Sequence, residues 1–190
     1  MNWLIGIGAI LMIIGLYIIL KKPRNKVKEN TVTFWVNENK NLHIESDIEY
    51  EELYIYSAAA FVIKVAWILS GSNTFVADQL YKRLYYMDKG TIHMIALSDI
   101  PTNQKFKISL KGSAFTTEIP LIGDLYIMEG VFCFLSYVYN VITPKNQEIL
   151  LLILKELTPH TENINSGIGG LLNLNRTMKE IMNDTFNKYQ

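Results

Sequence analysis

The chain has 190 residues, of which 18 are basic and 18 acidic, and it contains a single cysteine. The balanced charge gives no electrostatic case for a nucleic-acid duplex as partner, and one cysteine excludes an intrachain disulfide and agrees with a reducing compartment. The sequence beyond its first thirty positions is long enough for one ordinary hydrophobic core.

From Trp3 to Leu20 the chain reads WLIGIGAILMIIGLYIIL, without one charged side chain. At ~1.5 Å per residue such a helix is roughly 27 Å long, close to the ~30 Å hydrocarbon layer of a bilayer. No Lys or Arg precedes the run and no small-residue cleavage site follows it. It reads as an uncleaved transmembrane anchor rather than a signal peptide. Lys21, Lys22, Arg24, Lys26 and Lys28 follow before the first acid, Glu29. The positive-inside rule puts that flank, and the domain behind it, on the cytoplasmic side of what reads as a bacterial inner membrane. Gly8 and Gly15, seven positions apart, share one face of the span and mark a candidate helix–helix contact for a homo-oligomer.

Residues 21–30 read as a basic linker, followed by an α+β domain over 31–158 in which helices dominate. Alternation at Val32, Phe34 and Val36, a polar stretch around Asn37–Asn41, and renewed alternation at Leu42 and Ile44 predict a hairpin. Asp47 is the expected cap of a helix running to about Ser70, with Gly71 as its stop. A second helix, from about Thr74 to Met87, is amphipathic through Phe75, Val76, Leu80, Leu84 and Met87. A strand is expected over Thr91–Leu97, then a second hairpin on either side of Lys111-Gly112. Helices follow from Asp124 to Ile142 and from Pro144, at a first-turn position proline tolerates, to Thr158-Pro159. A Gly-rich hinge at Gly167–Gly170 leads to an amphipathic tail helix over 171–188, within a terminal segment 159–190. That tail can pack back on the domain or serve association.

Two internal apolar stretches, Leu53–Leu69 and Leu121–Ile142, could add two further spans. The first contains Lys64 and the second Asp124 and Glu129. A charge at mid-bilayer costs roughly 2.5–3.5 kcal/mol even on the lenient scale, so both are better read as buried core helices. Lys64 and Glu129 are then candidates for a buried ion pair, against the plainer reading in which Lys64 extends its stem to solvent.

The chemistry-bearing signals are few. His43, His93 and His160 lie in different elements with no metal-ligand spacing, and no nucleophile motif is present, so no cofactor, metal or catalytic residue is assigned. Cys133 lies in an apolar run and reads as a buried thiol. Tyr81, Lys82, Arg83, Tyr85 and Tyr86 combine aromatic faces with two cations, making a candidate surface for a protein partner or a small anionic ligand. The expected function is a membrane-anchored, non-enzymatic, protein-binding module of scaffold or immunity type. The alternative is a tethered oligomeric sensor whose cytoplasmic domain binds an anion such as a nucleotide.

Overall fold

A computed structural model describes residues 28–90, 92, 100–112, 114–164 and 167–189. The expected span with Gly8 and Gly15, the linker as far as Val27, His93 and most of the strand expected over Thr91–Leu97 lie outside the described residues. The remainder is an α+β fold. Its elements are β1 (Glu29–Val36), β2 (Leu42–Ser46), α1 (Glu51–Ser72), α2 (Thr74–Tyr85), β3 (Phe106–Lys111), β4 (Ala114–Glu118), α3 (Asp124–Val141), α4 (Pro144–Glu162) and α5 (Ile168–Tyr189).

Both expected hairpins form, and pairing of β1 with β3 joins them into one antiparallel sheet of order β2-β1-β3-β4. Thr31 lies opposite Ser109 and Phe34 opposite Phe106. The two-residue period sends Val32, Phe34 and Val36 of β1, with Phe106, Ile108 and Leu110 of β3, to the covered face. The two five-residue strands take the edges, where a short, half-polar strand offers little template for further pairing. Gly112 has a positive φ of 59° at the β3–β4 turn, a conformation glycine adopts without a Cβ penalty. In the first hairpin the side chain of Asn37 accepts from the Asn41 amide at 2.9 Å, closing the loop.

α1 is the centre of the molecule. It contacts β3, β4 and every other helix, which explains a composition apolar on all sides. Among the described residues it is the one helix long and apolar enough to cross a membrane, yet 61% of its most apolar window is buried inside the protein. Core helices of soluble proteins meet the same measure. α3 packs beside α1 under the sheet through an aromatic cluster: Phe34 stacks on Phe106 and Phe134 at 4.8 and 5.1 Å, and Phe61 meets all three edge-on.

Four expected helix boundaries move. Asp47 does not cap α1; its carboxylate accepts the Thr31 amide and fastens the chain leaving β2 to β1. The helix starts instead at Glu51, whose acid and that of Glu52 sit favourably in the first turn. It continues through Gly71 to Ser72, and Asn73 then both ends α1 and caps α2 by accepting from the Val76 amide at 3.2 Å. α4 also runs past Pro159 to Glu162. The hydroxyls of Thr158 and Thr161 donate at 2.7 Å to the carbonyls of Leu154 and Thr158, supporting the backbone around the proline. The tail helix begins at Ile168, earlier than expected, and buries Leu174, Met178 and Met182 in the same core as the rest.

Candidate functional site

The molecule has two poles, separated by the roughly 33 Å length of the 22-residue α1. At the first, Lys28 pairs with Glu49 just ahead of α1, and Glu29 stands opposite Lys111 beside the β3–β4 turn. The carboxylate of Glu51 accepts from the Thr143 amide at 2.9 Å, the Thr143 hydroxyl at 2.9 Å and the Asn146 side chain at 2.6 Å, so a residue of α1 caps α4. Desolvation pushes this carboxyl up, but the three donors outweigh it and its pKa lies below the ordinary value. At the opposite pole the Ser72 hydroxyl donates to Asp124 at 3.0 Å, bringing the end of α1 to the start of α3.

A cavity of about 360 Å³ opens at the first pole. Leu53 and Tyr56 of α1 face Met182 and Phe186 of α5 across it, and Gly112 closes one side. Met182 is buried, whereas Glu52 and Asn183 are exposed and Lys179 is half-buried. Burial raises the Tyr56 phenol above its ordinary pKa, so it stays neutral at physiological pH. A smaller cavity of about 160 Å³ shares Glu52 and Phe186 and adds Lys145 and Tyr189.

The second pole exposes several large apolar side chains beside polar ones such as Asp124. Phe75 at the start of α2 projects into solvent, as do Leu121, Leu125 and Tyr126 around the start of α3. The sequence periodicity had assigned Phe75 to the buried face of α2, but the side chain lies one turn too early to be covered.

The candidate surface Tyr81–Tyr86 divides. Tyr81 is buried and shares a hydrogen bond with the Ser70 hydroxyl of α1. Arg83 turns to α3, where its guanidinium donates to Glu129 through Nη1 and Nη2, the latter at 3.3 Å, and lies 3.7 Å above the centre of the Phe132 ring. Lys82, Tyr85 and Tyr86 point outward, the two tyrosine rings edge-to-face at 5.1 Å. The helical period is the reason: positions 81 and 84 share the face that α2 turns to the core, so the five residues cannot form one surface.

Glu129 is therefore paired with Arg83 rather than with Lys64, a correction to the expected ion pair. The ammonium of Lys64 sits 4.2 Å over the Trp67 ring, one helical turn along α1. An adjacent helix supplied the cation, which spacing along α1 and α3 could not reveal. Cys133 is buried, with its thiol pushed up to about 12, chiefly by desolvation and further by the Glu129 charge, with Arg83 opposing. His43 hydrogen-bonds Asn37 at 2.9 Å and stacks on Trp35, while His160 is exposed near the end of α4. Among the described residues no three His, Cys, Asp or Glu side chains converge as metal ligands. Gly167 precedes α5, and Gly169 and Gly170 lie within its first turn.

The Glu51 cap and the cavity at the first pole were not foreseen in the sequence. The signal available for the first was the Glu51-Glu52 pair opening a long apolar helix. The cavity joins residues about 130 positions apart, beyond any local pattern. No protein-family model, no curated protein and no solved structure matches this chain.

Proposed function

We propose that this protein is a membrane-tethered, non-enzymatic module that docks a protein partner on the cytoplasmic face through the apolar pole formed by Phe75, Leu121, Leu125 and Tyr126. The observation that carries the reading is the position of this patch relative to the chain's entry. Residues 3–20 have the length and composition of a bilayer span, and the five cations that follow favour the cytoplasm. Seven residues, 21–27, separate that segment from Lys28, a reach of at most ~25 Å. The pole with Lys28 would then lie near the headgroups, and the apolar pole would stand about 33 Å beyond it.

An exposed cluster of large apolar side chains at the far end of a tethered domain is the arrangement expected of an interaction site. Aromatic residues such as Phe75 and Tyr126 supply the anchors on which binding energy concentrates. The nucleotide-sensor alternative receives less support. Two of its five residues, Tyr81 and Arg83, are occupied within the fold.

The test is affinity capture from membranes at moderate salt, comparing the native chain with Phe75→Asp and Leu125→Asp. Both side chains are exposed, so both variants should retain the native melting temperature. The native chain should recover a stoichiometric partner that the variants lose. Recovery of the chain alone in every case would end the proposal.

A further inference from the structure

The cavity at the pole where the chain enters has a lining that the docking surface does not use. Its floor and walls are Leu53, Tyr56, Met182 and Phe186, and at its mouth stand two groups of opposite charge, Glu52 on α1 and Lys179 on α5. Glu52 and Lys179 form no ion pair with each other, nor does either with any other side chain among the described residues. The neighbouring acid, Glu51, is by contrast fully engaged with Thr143 and Asn146. Asn183 lies one helical turn from Lys179 on the same face of α5, so an amide and an ammonium can donate to one acceptor group. An apolar recess of about 360 Å³ falls within the ~300–1,000 Å³ of small-molecule sites, which pair apolar walls with a few oriented polar groups.

We infer that this cavity binds one phospholipid with a phosphoethanolamine head. An acyl segment lies between α1 and α5, the phosphate lies against Lys179 and Asn183, and the head-group amine lies against Glu52. Charge complementarity selects this head. A phosphate alone satisfies Lys179 and leaves Glu52 facing an anion, whereas a phosphate joined to a primary ammonium matches both walls with charge-assisted hydrogen bonds. A choline head carries the charge but no N–H to donate. The bilayer as source of the lipid rests on the tether proposed above; the chemistry of the cavity does not.

The experiment uses the full chain in phosphatidylcholine nanodiscs doped with a phosphatidylethanolamine bearing a diazirine in its acyl chain, and separately with the corresponding phosphatidylglycerol. Peptide mapping should place the crosslink on residues 53–56 and 182–186, with at least fivefold more label from the ethanolamine lipid. Lys179→Met should reduce that label at least fivefold, and Glu52→Gln should abolish the preference between the two heads while leaving labelling in place. Glu52 is exposed and Lys179 half-buried, and an unchanged melting temperature will show that the fold is kept. Label confined to residues 3–20, or equal label from both lipids in the native chain, overturns the inference while leaving the tether standing. If the chain fails to enter nanodiscs, the tether falls. Titration with dihexanoylphosphatidylethanolamine in solution then decides the cavity alone: saturable binding weakened by Lys179→Met supports it, and no binding overturns it.

Discussion

Gly130, in the middle of α3, is held small by the ring across from it. A Cβ there would stand 2.7 Å from Cζ of Phe106, whose side chain is itself buried in the aromatic cluster under the sheet. Alanine would ordinarily favour a helix interior over glycine by about 1 kcal/mol. Here overpacking, which costs about 1–3 kcal/mol, outweighs that gain. Gly130→Ala should therefore lower the midpoint of urea unfolding, and a rise would mean that Phe106 has room to move.

Cys133, three positions on, links stability to pH. Its folded pKa of about 12 lies above the ordinary value of about 8.5. Below pH ~8.5 both folded and unfolded chains hold the proton, and the stabilisation is fully present. Above it the unfolded chain ionises while the folded one does not, so stability falls as pH rises toward about 12. Cys133→Ala should show a shallower alkaline loss than the native chain when unfolding free energies are compared from pH 8 to 10. The buried state of this thiol was legible in its apolar sequence neighbours. The Arg83–Glu129 pair beside it was not, because Arg83 lies on a different helix and its destination is decided by how α2 crosses α3.

At the scale of elements, α5 decides whether the end of the chain is an independent arm. Its periodicity announced a helix with one apolar stripe, and Leu174, Met178 and Met182 on that stripe are buried against α1 and α4. A stripe states that something must cover it but not which surface does, so only packing could choose between the domain and a partner. With Met178 fully buried, Met178→Ala should cost about 2–5 kcal/mol of domain stability, read from chemical denaturation of the whole chain. A cost near zero would mean that the helix detaches in solution.

The strands and α1 carry the same lesson in opposite directions. Alternation identified both hairpins because a half-buried strand displays its period locally. The edge-to-edge joining of β1 to β3 involves residues some 75 positions apart and left no local trace. α1 was legible as a helix but ambiguous in its surroundings, since lipid and protein interior select the same side chains. Its start shifted because Asp47 is taken by the Thr31 amide instead of capping α1, and its end because Asn73, not Gly71, stops it while capping α2.

For the whole molecule, the two ambiguous apolar helices reduce to one testable distinction. The full chain should remain with membranes through an alkaline carbonate wash, and a version lacking residues 1–27 should appear in the supernatant. The reason is that α1 packs against β3, β4 and four helices, which bury most of its apolar side chains inside the protein. Retention of the shortened chain in the washed membranes would make α1 a span and undo the core described above.

Residue order alone determined the two hairpins, the five helices to within a few residues, the α+β class, and the apolar run with its basic flank, because each depends on neighbours within a few positions. The choice of Arg83 as partner of Glu129, the enclosure of α1, the return of α5, the cavity beside Glu52 and the exposed pole at Phe75 belong to the tertiary structure. Each is a meeting of segments far apart in the chain, and a meeting of that kind is selected by the packing of whole faces, which no short stretch of sequence contains.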